Sequence, residues 1–203
     1  MRRVAVAALL ATNLLTASDI WAQQPQTVRV RGTIEKIEGN QLLIKSRDGT
    51  DLTVNMAENV RVTAIVKAAL ADIKPNSYVG VTAMPQVDGT QKAIAIAIFP
   101  ESARGAGDGH RPWDLRPNST MTNATVDTMV AGVDGQTITV KYKDGEKKVI
   151  VPPDAVVVTS APSDKSELKA GAKVLIFGAT KQPDGTLSAA SVNVGRDGLT
   201  PPM

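Results

Sequence analysis

The side chains with the most distinctive chemistry lie in one connecting stretch, residues 101–121 (ESARGAGDGHRPWDLRPNSTM). It contains His110, the single histidine of the chain, and Trp113, one of its two tryptophans. Arg111 and Asp114 stand beside them, and Trp and Arg are typical anchor residues of recognition surfaces. These four residues are the candidate site for a small ligand or a protein partner. The alternative is that Trp113 only fills a seam between two domains, with Arg111 and Asp114 bonded to nearby backbone.

A metal site built on His110 has few possible ligands. The chain contains no cysteine, which excludes thiolate ligands, disulfides and a cysteine nucleophile. One histidine is too few for a tetrahedral structural zinc site. Copper(I) accepts thioether ligands, but the methionines after residue 22 are scattered, and single methionines usually fill cores. The aspartates match no EF-hand spacing. We therefore expect no metal site and no cofactor.

Catalytic motifs are also missing from the sequence. No serine lies in a Gly-x-Ser-x-Gly elbow, and no glycine-rich phosphate loop of the Walker or Rossmann kind is present. No pair of carboxylates is marked by its spacing. We expect that the protein is not an enzyme and has no catalytic residues. An unrecognised hydrolase would reveal itself by carboxylates that converge in a pocket.

The N-terminal residues have the pattern of an export signal. Arg2 and Arg3 precede the mainly apolar stretch Val4–Leu15, and Ala22 supplies a small residue at a cleavage site. The apolar stretch is too short to span a membrane, which takes roughly 20 such residues. We predict a signal peptide at residues 1–22, a periplasmic or secreted protein, and no membrane span after cleavage.

Charge and aromatic content argue against nucleic acid as a partner. The chain has 23 Lys and Arg against 20 Asp and Glu, so no strongly basic face is expected. Binding of single strands needs a positive groove together with exposed aromatic side chains on which bases stack. Aromatic residues make up only 3% of the chain. We expect no nucleic-acid binding.

Alternation of apolar and polar residues begins at Thr27 and predicts β-strands. Asp48-Gly49 is a strong hairpin signal, because both residues tolerate a positive φ. Lys67–Ile73 is the best helix candidate, with Pro75 ending it. The predicted order in residues 27–100 is three strands, a short helix and two strands.

The same order returns at a constant offset of 96 residues. The matches include glycines and hairpin turns: Gly39 with Gly135, Asp48-Gly49 with Asp144-Gly145, and Asp88-Gly89-Thr90 with Asp184-Gly185-Thr186. Such self-similarity predicts an internal duplication. The predicted divisions are a first unit at 27–100, a connector at 101–121, a second unit at 122–195 and a tail at 196–203.

Five strands and a short helix in about seventy residues fit a small closed barrel of the OB type, because closure removes exposed strand edges. An open meander or a small sandwich is the alternative. The predicted fold class is mainly all-β, a tandem duplication of two five-stranded OB-like barrels that follow the signal peptide. The oligomeric state is not indicated.

Three segments carry a resemblance to a known family: Val30-Arg31-Gly32-Thr33-Ile34, Asp48-Gly49 and Ala71-Asp72-Ile73-Lys74-Pro75. They resemble exported bacterial OB-like domains of unknown function. With GHRPWD in the connector and the final GRDGLTPPM, the whole chain is similar to small two-unit proteins of rhizobia that are often labelled "metal ABC transporter permease". The resemblance implies fold and export but no catalytic residues. A permease must cross the bilayer, so the label implies at most a soluble accessory of a metal transporter.

These observations together favour a non-catalytic exported (periplasmic) binding or interaction protein. Its ligand would be an unknown protein or small molecule, held near the connector. The alternative function is periplasmic metal handling, either directly or as a soluble accessory of a metal transporter.

Export can be tested by the N-terminus of the secreted protein. Full-length chain expressed in a Gram-negative host should reach the periplasm and begin at Gln23, because signal peptidase requires a small residue at the position of Ala22. Ala22→Phe should accumulate as uncleaved precursor. The measurement is intact mass of the periplasmic and cytoplasmic fractions. Cytoplasmic protein that keeps residue 1 would contradict the prediction.

Overall fold

The computed structural model describes residues 26–132 and 135–202, so the predicted signal peptide at 1–22 lies outside the described residues. The described chain is mainly β, as predicted. Its strands are β1 (Thr27–Glu38), β2 (Gln41–Ser46), β3 (Asp51–Lys67), β4 (Tyr78–Pro85), β5 (Gln91–Ile98), β6 (Gly109–Pro112), β7 (Thr120–Gly132), β8 (Gly135–Tyr142), β9 (Gly145–Val151), β10 (Val156–Pro162), β11 (Lys173–Lys181) and β12 (Leu187–Gly195).

The predicted short helices are single 3-10 turns. In the first half the turn is Leu70–Asp72, because Lys67 still belongs to β3 and pairs with Val158 of β10. Pairing with a neighbouring strand at this point overrides the helix propensity of the Ala-rich segment. The other 3-10 turns are Glu101–Ala103, Lys165–Glu167 and Arg196–Gly198.

Strands β1, β2, β3, β12 and β11 close into one ring, which we call barrel I. The antiparallel pairs are β1 with β2, β2 with β3, β11 with β12, and β1 with β11. The ring closes through β12, which lies parallel to β3. Side chains from all five strands fill its interior, among them Ile34, Leu42, Val54, Ile176 and Val194. A closed ring leaves no strand edge unpaired around its circumference.

Barrel II is built in the same way from β4, β5, β7, β8 and β9. Its antiparallel pairs are β4 with β5, β4 with β7, β7 with β8, and β8 with β9. The ring closes where Gln91 and Lys92 of β5 run parallel to Val149 and Ile150 of β9. The interior again consists of small and branched aliphatic side chains.

The barrels do not coincide with the predicted units at 27–100 and 122–195. Barrel I takes three strands from the first half of the chain and two from the second, and barrel II takes the complementary set. The β4–β5 hairpin, from the first half of the chain, closes barrel II. The β11–β12 hairpin, from the second half, closes barrel I. This is the geometry of domain swapping, within one chain instead of between two.

Strand β10 joins the two barrels. It pairs antiparallel with the end of β3 and parallel with β5. β9 and β10 are separated by Pro152 and Pro153, which lack the N–H groups that a continuous ladder needs.

A third apolar cluster forms where β3, β5, β7, β10 and β11 meet. We call it the seam cluster, and it consists of Ile65, Ala97, Met121, Val158 and Leu175.

The strand exchange can be tested with engineered cysteines, since the chain has none of its own. Thr33 of β1 lies directly opposite Lys173 of β11, and Lys173 Nζ donates to Thr33 Oγ1 at 2.7 Å. Cysteines at both positions should form a disulfide on mild oxidation, because opposite residues of antiparallel strands lie within bridging distance. Peptide mass mapping would identify the crosslink.

The control pair is Thr33→Cys with Tyr78→Cys. Ser77 accepts a backbone hydrogen bond from Val126 as Ala172 does from Ile34, so Tyr78, the next residue, corresponds to Lys173. If each barrel were one contiguous segment, Tyr78 would therefore take the place of Lys173. In the exchanged fold this pair should stay reduced. A crosslink between positions 33 and 78, with none between 33 and 173, would contradict the strand exchange.

Candidate functional site

The connector lies along barrel II before it turns toward barrel I. β6 pairs antiparallel with the start of β7, which places His110 opposite Thr122 and Arg111 opposite Met121. The chain then reverses over residues 113–119, closed by a backbone hydrogen bond of 2.8 Å from Trp113 N to Ser119 O. This reversal brings Asp114 to the surface of barrel I. The connector therefore contacts both barrels.

Asp114 is held by two arginines of β1. Arg29 Nη1 lies 2.7 Å from Asp114 Oδ2, and Arg31 Nη2 lies 2.8 Å from Asp114 Oδ1. The two arginines share one face of β1 because they are two residues apart. Burial alone would raise the pKa of Asp114, but hydrogen bonds and charges of Arg31 and Arg29 outweigh it and hold that pKa well below its ordinary value. The ionised carboxylate ties the connector to barrel I.

Arg47 supplies a second anchor that does not depend on the Asp114 side chain. Its Nη2 donates to the backbone oxygen of Asp114 at 3.0 Å, and its Nη1 donates to the backbone oxygen of Leu115 at 3.0 Å. A guanidinium group suits this role because its N–H donors form a rigid fork.

Trp113 packs against the seam cluster. The guanidinium carbon of Arg29 lies 3.9 Å from the centre of its ring, within cation–π distance. Arg111 approaches the same ring at 5.5 Å and donates through Nη1 to Gly107 O at 2.7 Å. The indole thus lies at the seam between the barrels, with guanidinium groups around it.

A cleft of about 340 Å³ opens beside Trp113. We call it the seam cleft, and its lining consists of Arg29, Phe99, Ala106, Arg111, Trp113, Met121, Asn123 and Phe177. Three aromatic side chains meet there, although aromatic residues are only 3% of the chain. Its volume is near the lower end of the range of small-molecule pockets, about 300–1,000 Å³.

Three lining residues carry a buried polar atom without a hydrogen-bond partner. They are Arg29 Nε, Trp113 Nε1 and Asn123 Oδ1, three of the five such side-chain atoms in the described parts of the chain. A buried polar group left unpaired costs about 1–3 kcal/mol. Their concentration around one cleft is the usual sign of a ligand or an ordered water that completes the bonding.

The orientation of Asn123 is set by its other amide atom. Its Nδ2 donates to Ala106 O at 2.9 Å, so Oδ1 is the atom left without a partner. Asn123 is only 7% exposed and lies opposite Gly80 in the pairing of β4 with β7. A Cβ at Gly80 would come within 3.0 Å of this oxygen and 2.9 Å of Phe99, so the close packing here requires glycine.

Phe177 reaches the cleft through an irregularity in β11. Between the pairs Val28 with Ala179 and Val30 with Ile176, β11 has one more residue than β1. Such a bulge changes the direction of the side chains beside it. Phe177 is 43% exposed as a result, which is unusual for phenylalanine. The centre of its ring lies 5.8 Å from the guanidinium carbon of Arg29.

The fourth predicted site residue, His110, does not line the seam cleft. Adjacent residues of a strand point to opposite sides, so Arg111 and His110 diverge. The ring of His110 stacks on Tyr142 at 6.5 Å, and its Nδ1 lies 2.8 Å from Thr122 Oγ1. Burial, followed by the charges of Lys147 and Arg111, lowers the pKa of His110 below its ordinary value. The imidazole is therefore neutral at neutral pH.

The structure separates the four predicted residues into three settings. Arg111 and Trp113 line the seam cleft, Asp114 anchors the connector, and His110 packs on Tyr142. Sequence analysis missed the six other lining residues, among them Arg29, Asn123 and Phe177. The only available signal was that Phe177 is one of few aromatic residues in the chain.

Within residues 26–132 and 135–202, no group of three or more His, Asp or Glu side chains is arranged to hold a metal ion. None of the helices in these ranges has the length and apolar character needed to cross a bilayer.

Comparison with family models, with curated proteins and with solved structures finds no match to this chain. The geometry of the seam cleft is therefore the basis for assigning a function.

The anchor on β1 can be tested with Asp114→Asn. At pH 7 the variant should lose about 0.5–1 kcal/mol of unfolding free energy, a modest effect because the carboxylate is half exposed. Since the folded-state pKa is lowered, the stabilisation is present above the unfolded pKa and declines as the pH falls below about 4. Urea unfolding at pH 7 and at acid pH measures the difference between wild type and variant.

Asp51→Asn is the matched control, because within the described part of the chain Asp51 forms an ion pair only with the exposed Lys45, at 2.7 Å. Its loss at pH 7 should be smaller than that of Asp114→Asn. Equal losses in the two variants, or a loss at Asp114 that does not shrink in acid, would contradict the proposed anchor.

Proposed function

We propose that this protein is a non-catalytic exported binding protein that holds a small ligand in the seam cleft. The observation that carries the proposal is the meeting of three unpaired buried polar atoms, on Arg29, Trp113 and Asn123, around one cleft. Export is proposed from the pattern of residues 1–22. The protein is periplasmic or secreted in this proposal.

The composition of the cleft supports binding more than catalysis. Its lining has two arginines, one asparagine, three aromatic side chains, Met121 and Ala106. None of these eight residues is an acid, a histidine, a serine or a lysine, the groups that usually act as general base or nucleophile. Apolar walls with a few oriented polar groups are typical of a site that recognises a small molecule.

Anchoring of the connector supports a site that is formed before the ligand arrives. Arg29 and Arg31 hold Asp114, and Arg47 holds the adjoining backbone. Trp113, the residue before Asp114, is therefore fixed against the seam cluster. A connector that is already held in place avoids the entropy cost of ordering it on binding.

We also infer that the two barrels are of the OB type and arose by internal duplication, as the resemblance implies. The ring order of barrel I, with a single parallel junction between β3 and β12, is consistent with a five-stranded Greek-key barrel. The strand order of barrel II is the same. In this view the connector, which has no counterpart in the repeat, is the part that adds function to two similar barrels.

Binding can be tested without knowing the ligand. Purified protein is incubated with the small-molecule fraction of a bacterial periplasmic extract, washed, and examined by native mass spectrometry. The wild type should retain a defined added mass. Trp113→Phe and Phe177→Ala should each weaken retention at least about tenfold, since both remove aromatic contact surface from the lining of the cleft.

Phe177→Ala separates binding from folding, because an exposed side chain contributes little to stability. Val130→Ala is the matched control, since Val130 is also exposed, at 62%, and does not line the cleft. It should retain the ligand like the wild type. Retention that is unchanged in Trp113→Phe and Phe177→Ala, or absent in the wild type, would contradict the proposed function.

A further inference from the structure

We propose that the seam cleft takes a small organic carboxylate with a flat apolar body and a hydrogen-bond donor. This inference rests on the proposed function, because it specifies the ligand of the same cleft. It follows from the charge around the cleft, from the types of its unpaired polar atoms, and from its walls.

The charge at the cleft is positive. Arg29, Arg31 and Arg111 approach the Trp113 ring at 3.9, 6.0 and 5.5 Å. Arg29 and Arg31 share one carboxylate, that of Asp114, which is not part of the lining. Two arginines and no acid face the cleft, so an anionic group is attracted there and a cationic group is repelled.

A second carboxylate near the cleft is already committed to other bonds. Asp108 Oδ1 accepts from Lys143 N at 2.8 Å, and its Oδ2 accepts from the Tyr78 hydroxyl at 3.4 Å. Like Asp114, Asp108 does not line the cleft. These donors are neutral, so Asp108 keeps its negative charge, but Asp108 and Asp114 together still leave one positive charge in excess beside Arg29, Arg31 and Arg111.

The unpaired atoms define complementary groups on the ligand. Trp113 Nε1 and Arg29 Nε carry hydrogens and can only donate, so they require acceptor oxygens. Asn123 Oδ1 can only accept, so it requires an O–H or N–H group. A carboxylate supplies the acceptors and a hydroxyl supplies the donor. These atoms have almost no accessible surface, so small shifts of the side chains around them must open them to the ligand.

The remaining walls select a flat apolar body. Phe99, Phe177 and Trp113 present aromatic surfaces, and Met121 supplies a polarisable thioether. A volume of about 340 Å³ suits one small molecule and not a polymer segment. A hydroxylated aromatic carboxylate has all of these properties, and 4-hydroxybenzoate is the simplest probe.

The test follows the indole N–H resonance of Trp113 in ¹⁵N-labelled full chain, assigned by its loss in Trp113→Phe. Titration with 4-hydroxybenzoate should shift this resonance saturably, because its carboxylate accepts from Nε1. The neutral isostere 4-hydroxybenzamide and the cation 4-hydroxybenzylamine should bind at least roughly tenfold more weakly than 4-hydroxybenzoate, since each lacks the charge-assisted contact. Benzoate, without the hydroxyl group, should bind more weakly than 4-hydroxybenzoate.

Arg111 provides the matched pair of variants. Arg111→Gln removes the charge while keeping an N–H donor for Gly107 O, and it should weaken binding of 4-hydroxybenzoate roughly tenfold. Arg111→Lys keeps the charge and should stay within about threefold of the wild type. The side chain is on the surface of the fold, and melting temperatures check that both variants remain folded.

Each outcome bears on the ligand class. Tighter binding of the amide or the amine than of the carboxylate overturns the inference and leaves the proposed function intact. A shift that does not saturate, or that is equal in Arg111→Gln and the wild type, means adventitious binding only and overturns it too. If the wild type also retains no mass from the periplasmic extract, both the ligand class and the proposed function fall.

Discussion

Pairing of β1 with β11, and of β7 with β4, makes each barrel depend on strands from the other half of the chain. Barrel I cannot close without the β11–β12 hairpin, and barrel II cannot close without β4–β5. Because each hairpin is already committed to the opposite ring, the two barrels cannot separate as independent units. The seam between them is therefore a permanent interior of the molecule, where Ile65, Val158 and Leu175 are buried.

The seam explains why the connector has a defined place. Residues 101–119 cross from barrel II to barrel I, and Trp113 packs against the seam cluster on the way. Arg29 serves three purposes at this point: it pairs with Asp114, stacks on Trp113 and lines the cleft. Its Nε remains without a partner even so. Structural anchoring and the proposed ligand binding thus use the same side chain.

The candidate site was only partly predictable. Trp113 and Arg111 could be found because rare or chemically distinctive residues stand together in a segment without a repeat counterpart. Arg29 could not, because an arginine on the outward face of a strand has no signal of its own. Phe177 depends on a bulge in β11, and Asn123 depends on the register of β7 against β4. His110 was grouped with Trp113 by sequence distance, whereas strand alternation directs it to Tyr142.

Local pattern by itself determined where the first strand begins and where the chain turns between β2 and β3. Alternation beginning at Thr27 and the Asp48-Gly49 hairpin lie where predicted, because side-chain period and turn conformation are decided by neighbouring residues. Only the tertiary structure decided which hairpin closes which barrel. The β4–β5 and β11–β12 hairpins have similar alternation of apolar residues, so the sequence of either hairpin is compatible with closing the ring that β1, β2 and β3 begin. Continuation of β3 through Lys67 into pairing with β10 carries the chain across to the other barrel, and that long-range contact has no local signal.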